Sequence, residues 1–259
     1  MESTTAPVIE VKDLDLEYDD NIVLKDLNFK VNHGDIFIVM GVSGCGKSTL
    51  LKSMIGLKKP SKGKVLLNDK SFWDEDESGQ LNMMRGFGVL YQSGALWSSL
   101  TVGENVSLPL ELYTKLSKQQ IREIVALKLS LVGLDGLEDI FPSGLSGGMC
   151  KRVSLARAIA LDPAIIFFDE PSAGLDPINS RMLDDLILEL RDGLGASIVI
   201  VTHELASIFA IGNNSVFLDD KSKTIIATGD PKSLLANSKD PRVIQFLTRG
   251  QLNNEQESQ

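Results

Sequence analysis

An α/β fold with a phosphate-binding loop at its centre is predicted by three stretches of this 259-residue sequence. Gly41-Val42-Ser43-Gly44-Cys45-Gly46-Lys47-Ser48-Thr49 matches G-x-x-x-x-G-K-[ST] without a mismatch. Ala164-Ile165-Ile166-Phe167-Phe168 runs directly into Asp169-Glu170, as a parallel strand does when it is buried on both faces and ends in acids. From Thr101 to Leu161 the apolar period turns helical, which predicts a helical subdomain inserted between two strands of the core. Short strands ahead of the loop add an antiparallel β subdomain.

The loop has the context its chemistry needs. Asp35–Met40 before it is an apolar run that reads as a buried strand, and Leu50–Ile55 after it reads as a helix. Glycines let the backbone wrap closely round phosphate, so that successive N–H groups point inward, and the helix N-terminus adds partial positive charge. Gly41, Ser43, Gly44, Cys45, Gly46, Lys47, Ser48 and Thr49 are therefore the candidate nucleotide ligands. Lys47 is placed to reach the β- and γ-phosphates of ATP, and Ser48 to offer its hydroxyl to Mg²⁺.

Composition sets the outer bounds. With 43% hydrophobic and 24% charged residues the chain can build one large α/β domain, or one core carrying a smaller subdomain. A net charge of −9 repels phosphate backbones and argues against a nucleic-acid partner. The loop must then bind its anion through local N–H groups and Lys47, against the global sign. No apolar run has the length of a bilayer span, and Met1–Thr5 lacks the basic and apolar regions of a signal peptide. Cys45 and Cys150 sit inside or beside motifs, so no disulfide is expected and a cytosolic location fits.

Along the chain, Val8–Val11 and Leu14–Tyr18 alternate like exposed strands, Asp19-Asp20-Asn21 reads as a turn, and Ile22–Val31 as a further strand pair. Tyr18 is a candidate platform for a flat base or an ordinary core or surface aromatic. Lys64–Asp69 returns as a strand, Asp74–Gly79 reads as a charged loop, and Phe87–Tyr91 as a strand ending at Gln92. A helix starting near Ser117 places Ile121, Ile124, Val125, Lys128, Leu131 and Val132 on one face and stops at Gly133. Leu145-Ser146-Gly147-Gly148-Met149 leads into a helix with Val153, Ala156, Ile159 and Ala160 on one face. Asp176 caps the helix that Pro177 opens, whose apolar stripe is Met182, Leu183, Leu186, Ile187 and Leu190. Ser197–Thr202 is a strand ending at His203-Glu204, and Val216–Leu218 with Thr224–Ala227 make a hairpin. Short helices open at Asp230-Pro231 and Asp240-Pro241. The second is too short to stand alone and must dock, on its own core or on a neighbouring copy or regulator. Gln251–Gln259 is polar and expected to fray.

Two carboxylates after Ile-Ile-Phe-Phe, in a chain with a phosphate loop, point to phosphoryl chemistry. Asp169 is the candidate Mg²⁺ holder and Glu170 the group that polarises the attacking water. The phosphate loop, Gln92, Leu145-Ser146-Gly147-Gly148, Asp169-Glu170, Ser172-Ala173-Gly174-Leu175-Asp176 and His203 stand in an order that resembles the ATP-binding subunits of ABC transporters over nearly the whole chain. That resemblance implies roles. Tyr18 stacks on adenine, Gln92 touches Mg²⁺ and the attacking water, and His203, by itself a plain polar cap, contacts the γ-phosphate. Ser146, Gly147 and Gly148 meet the γ-phosphate of ATP held by a second copy, and Asp176 communicates between the two sites. Catalysis is thereby expected of Glu170, His203, Gln92 and Lys47, and metal binding of Ser48, Gln92 and Asp169.

One departure stands out: where the family usually has glutamine after Leu-Ser-Gly-Gly, this chain has Met149, which cannot reproduce an amide's hydrogen bonds. Leu-Ser-Gly-Gly-Met with Arg152, Tyr91–Leu96 and Asp240–Leu247 resemble MlaF-like ATPases, which energise phospholipid movement between bacterial membranes with MCE proteins. The resemblance implies an ATPase on the cytoplasmic face of the inner membrane, partnered by a second copy, integral-membrane permease subunits, an MCE-domain protein and a STAS-like regulator. Residues 1–92 and 162–236 are expected to form the nucleotide-binding core, 93–161 the helical signature subdomain and 237–259 a C-terminal extension. A soluble ABC ATPase serving an assembly complex, and a nucleotide-gated module without turnover, are the other readings of the same residues.

Overall fold

The computed structural model describes residues 6–19 and 21–250. The expectations for Met1–Thr5, for Asp20 in its turn and for the tail Gln251–Gln259 lie outside the described residues. The chain divides into two compact units, Met1–Glu77 with Val199–Gln259, and Ser78–Ile198. Among the described residues no helix is long and apolar enough to cross a membrane.

The first unit opens with β1 (Ile9–Tyr18) and β2 (Asn21–Val31), an antiparallel pair. Each is one continuous strand, where the sequence suggested two short ones. The break in alternation at Lys12-Asp13 is a bulge: Asp13 takes φ 45°, and its N–H donates to Asn28 Oδ1 at 3.0 Å. Nor is β1 exposed, since Ile9, Leu14 and Leu16 are fully buried. With β4 (Lys62–Leu67) and β5 (Lys70–Ser71) the order is β2-β1-β4-β5. The other strands of this unit run β10-β9-β3-β8. β3 (Ile36–Gly41) is buried at every position and parallel to β9 (Asn214–Asp219), and β10 (Thr224–Thr228) completes the expected hairpin.

α1 (Lys47–Met54) begins inside the phosphate motif. Later come α7 (Leu205–Ile211), α8 (Pro231–Asn237) and α9 (Pro241–Leu247). α9 docks on its own chain. Val243 and Leu247 are buried, the Phe246 ring meets Phe217 edge-on at 5.1 Å, and Arg242 pairs with buried Asp219 at 2.8 Å. Replacing Leu247 by Ala should therefore destabilise the isolated chain by about 2–4 kcal/mol. A thermal melt reads this, and an unshifted Tm would show that α9 is an appendage.

In the second unit β6 (Phe87–Leu90) and β7 (Ile165–Asp169) pair in parallel. The helical stretch resolves into α3 (Val102–Tyr113), α4 (Lys118–Leu131) and α5 (Gly147–Ala158). Both α3 and α4 start in capping boxes, Thr101 with Glu104 and Ser117 with Gln120. α6 (Pro177–Leu194) follows β7, and the order here is β8-β7-β6; the division between the units falls within β8 (Ser197–Val201).

Three further expectations are corrected. Part of the charged loop at 74–79 is helical, because α2 spans Glu77–Arg85; none of its residues is buried, so it has no apolar stripe to signal it. Met182 on α6 is exposed, and so is Leu131 on α4.

Candidate active site

The phosphate loop follows the C-terminal end of β3, where open α/β sheets place ligands. Gly41 has φ 150°, and a Cβ there would lie 2.5 Å from Leu218 O and 2.7 Å from Cys45 Sγ, so only glycine fits. Gly46, in the left-handed region at φ 104°, is the N-cap of α1 and supplies no side-chain cap. A helix that starts without a side-chain cap at this point presents its positive end to the loop, which favours an anion there. Lys47 is 7% exposed, and its Nζ donates to Gly41 O at 2.9 Å and Val42 O at 3.1 Å. Burial pushes the Cys45 thiol up, with the Lys47 charge opposing, so the sulfur stays protonated and unreactive. Ser48 is exposed on the first helical turn and Thr49 is half-buried behind it.

Two further candidates belong to the same unit. Tyr18, at the end of β1, is 45% exposed, with Lys58 Nζ 3.7 Å from its ring centroid. One ring face therefore already carries a cation. His203 follows β8 and lines a cavity of about 530 Å³ together with Val42 and Ser43 of the loop; Arg242, Gln245 and Phe246 of α9 form another wall.

The second unit assembles the carboxylates. The parallel register Leu90↔Phe168 sets Tyr91-Gln92 and Asp169-Glu170 at the same end of β6 and β7. Gln92 is exposed and both acids are half-buried. Glu170 holds φ 47°, a costly conformation for a non-glycine residue and one that recurs at active sites. Burial pushes the Tyr91 phenol up; Arg157 opposes this and Asp169 adds to it.

α5 ties these pieces together. Ser146 is its N-cap, its Oγ accepting from Met149 N at 3.2 Å, and Gly147 is exposed beside it. From the first half of the helix Lys151 reaches the loop after Glu170, donating to Pro171 O at 2.6 Å and Ala173 O at 2.5 Å. From the second half Arg157 reaches the turn after Gln92, donating to Gly94 O and Ala95 O at 2.9 Å each. Burial lowers the Lys151 pKa, and the Glu170 carboxylate opposes that shift.

Comparison with known proteins finds a family for the chain. Residues 24–173 match the family described as ABC transporter. The chain belongs to the ABC transporter family. It is 39% identical over 240 residues to the intermembrane phospholipid transport system ATP-binding protein MlaF of Haemophilus influenzae, covering 93% of this chain and 90% of that one. It is 38% identical over 239 residues to the probable ribonucleotide transport ATP-binding protein mkl of Mycobacterium leprae, covering 92% of this chain and 68% of that one. Among solved structures, a dimeric ATP-binding cassette in a post-hydrolysis state with ADP and Pi superposes with a TM-score of 0.77 at 29% identity, covering 86% of this chain and 98% of that one. The expected fold class holds, and this ABC transporter subunit is an ATPase, cleaving ATP with water to ADP and phosphate.

Within this ABC ATPase Asp176 is exposed and caps α6, its Oδ1 accepting from Ile178 N and Asn179 N at 3.0 Å each. The Asn179 side chain, followed by those backbone N–H groups, holds the Asp176 carboxyl below its usual range. Sequence reading missed Lys151, Arg157 and Lys58. A signal existed for the first two: a cation on a helix that also carries the apolar face Val153, Ala156, Ile159 and Ala160 requires an acceptor if it is drawn in with that face. Lys58 over Tyr18 had none, since it links residues forty apart in sequence. Asn105 was missed as well. It is fully buried, accepts from Trp97 N, and donates to the carbonyls of Trp97, Leu100 and Thr101, clamping a loop on which Trp97 stands 60% exposed.

Proposed function

We propose that this subunit powers phospholipid transport between the inner and outer membranes of a bacterium, as the ATPase of an MCE-type system. The observation that carries the reading is the near end-to-end likeness to the Haemophilus relative, whose name states intermembrane phospholipid transport. The mycobacterial relative, at almost the same identity, favours a second reading, ribonucleotide transport, although this chain spans only 68% of it. ATP-driven transfer of a labelled phospholipid between vesicles carrying the purified membrane complex tests the first. Uptake of a labelled ribonucleotide without lipid transfer overturns it, and recovery of only soluble partners from detergent extracts overturns transport altogether.

On this reading the subunit sits peripherally on the cytoplasmic face of the inner membrane, held by permease subunits, with an MCE-domain protein and a STAS-like regulator as further partners. Two copies sandwich two ATP molecules. Tyr18 stacks on adenine through the face that Lys58 leaves open. Lys47 and the loop N–H groups hold the β- and γ-phosphates, and His203 contacts the γ-phosphate. Ser146, Gly147 and Gly148 meet the γ-phosphate held by the other copy. Open space supports this, since a Cβ added at Gly147 meets nothing within 4 Å. Asp176 then senses the neighbouring site.

The donors assigned to Mg²⁺, the Ser48 hydroxyl, the Asp169 carboxylate and the Gln92 amide oxygen, are the hard oxygens this ion prefers. Among the described residues no group of three His, Cys, Asp or Glu is placed to hold a metal, which suits an ion that arrives with the phosphates. When bound it neutralises charge on the phosphate oxygens. Glu170 accepts the proton of the attacking water, while Gln92 and His203 orient water and phosphate for in-line displacement.

The loop after Gln92 is assigned to the permease. Leu96 is half-buried and Trp97 exposed, on backbone clamped by Arg157 and Asn105. Trp97→Glu should release the membrane partner in a detergent pull-down while the isolated subunit keeps its Tm. A lowered Tm would return Trp97 to internal packing.

A further inference from the structure

We propose that Lys151 is a positioning residue for hydrolysis, holding the loop that carries Glu170 against the helix that carries Ser146–Gly148. The proposal rests on the reading of Glu170 as the proton acceptor, and it adds a residue that the reading does not use.

The loop from Glu170 to Asp176 is two consecutive turns. Ala173 N donates to Glu170 O at 3.1 Å, and Leu175 N to Ser172 O at 3.0 Å. Glu170 enters it at φ 47° and Gly174 leaves it at φ 76°. Such a backbone persists only where its surroundings over-determine it. The turns use the carbonyls of Glu170 and Ser172. Those of Pro171 and Ala173 turn the other way, and both accept from the Lys151 ammonium. Lys151 is 8% exposed. A buried ammonium that spends its protons on two carbonyls of one short loop is a fixed strut, because leaving either acceptor would strand a charge in a desolvated place.

The other end of the strut is equally fixed. Lys151 lies one turn into α5, four residues from Gly147. Around it a Cβ added at Gly148 would come to ordinary contact distance, 3.8 Å, of Leu175 and Asn179, and the hollow bounded by Gly148, Lys151, Arg152, Leu175, Asn179 and Leu183 holds only about 10 Å³. With so little void, a shift of the α5 N-terminus moves the loop with it. Lys151 thus links the residues assigned to the second copy's ATP with the carboxylate assigned to water. Glu170 lies beside the first carbonyl that Lys151 holds, so losing the strut displaces its backbone while the helix that carries Ser146–Gly148 and the phosphate loop keep their own groups.

The test uses the full-length ATPase with Lys151→Met, which keeps the length of the side chain without its charge, and Lys151→Arg, which restores cation and donors. Phosphate release should show kcat lowered by about 100-fold in Lys151→Met with KM for ATP little changed, the scale of a misplaced catalytic group. Lys151→Arg should recover most of it, and melting curves show that each variant folds. In the double variant Lys151→Met/Glu170→Gln the losses should not add, because both act through one carboxylate. Parental kcat in folded Lys151→Met overturns the proposal. So does a rise in KM that Lys151→Arg fails to reverse, which makes Lys151 merely structural, and so do additive losses in the double variant. If Glu170→Gln alone keeps the parental rate while Lys151→Met loses it, the assignment of Glu170 fails, and the strut serves another group.

Discussion

Glu170→Gln is expected to keep ATP binding and to lose turnover by about 10²–10⁴-fold, the span a positioned general base contributes. The amide has nearly the shape of the carboxylate and cannot take a proton from water. The site around it should survive the change. Its φ of 47° is a property of the backbone, held by the turn to Ala173 and by Lys151 on the next carbonyl. The two measurements are equilibrium nucleotide binding and steady-state phosphate release, made on the same preparation. Hydrolysis at the parental rate would falsify the role given to Glu170, whereas lost binding would show that the carboxylate supports the nucleotide instead.

Lys47→Ala should do the reverse and fail at binding. The ammonium is held at the mouth of the loop by Gly41 O and Val42 O, within reach of an arriving phosphate. A charge-assisted hydrogen bond to phosphate contributes about 1.5–3 kcal/mol, which is roughly tenfold to 100-fold in affinity at 1.4 kcal/mol per decade. A second consequence is particular to this loop. The same ammonium draws the Gly41 and Val42 carbonyls together, so Lys47→Ala loosens the cradle that the remaining N–H groups need. Titration with a fluorescent ATP analogue reads the loss. A Kd within twofold of the parent would leave the loop N–H groups as the whole site.

Much of this site was readable from residue order because its pieces are local. The phosphate loop, the acids at the end of β7, the cap at Asp176 and the helix start at Asp240 each depend on neighbours within a few positions, and such chemistry leaves a pattern in the chain. β1 misled because a bulge at Asp13 and a turn both interrupt alternation, and only the pairing partner Asn28 tells them apart. α2 was invisible because a helix that buries nothing needs no stripe. Met182 follows the helical period and still faces outward, since periodicity defines a face without naming what covers it. The grips of Lys151 and Arg157 join segments 20 and more than 60 residues away. Which carbonyls a buried cation meets is decided by tertiary packing, which residue order does not display.

The contacts of Lys47 also bear on the speed of the cycle. After hydrolysis the products must leave a site to which the phosphate loop itself contributes one ammonium, that of Lys47. Were that ammonium to face empty space on release, the escaping phosphate would have to climb the full cost of uncovering a charge. Gly41 O and Val42 O already accept from it, so an anion that comes or goes would exchange oxygen partners with the loop's own carbonyls and never uncover a bare charge.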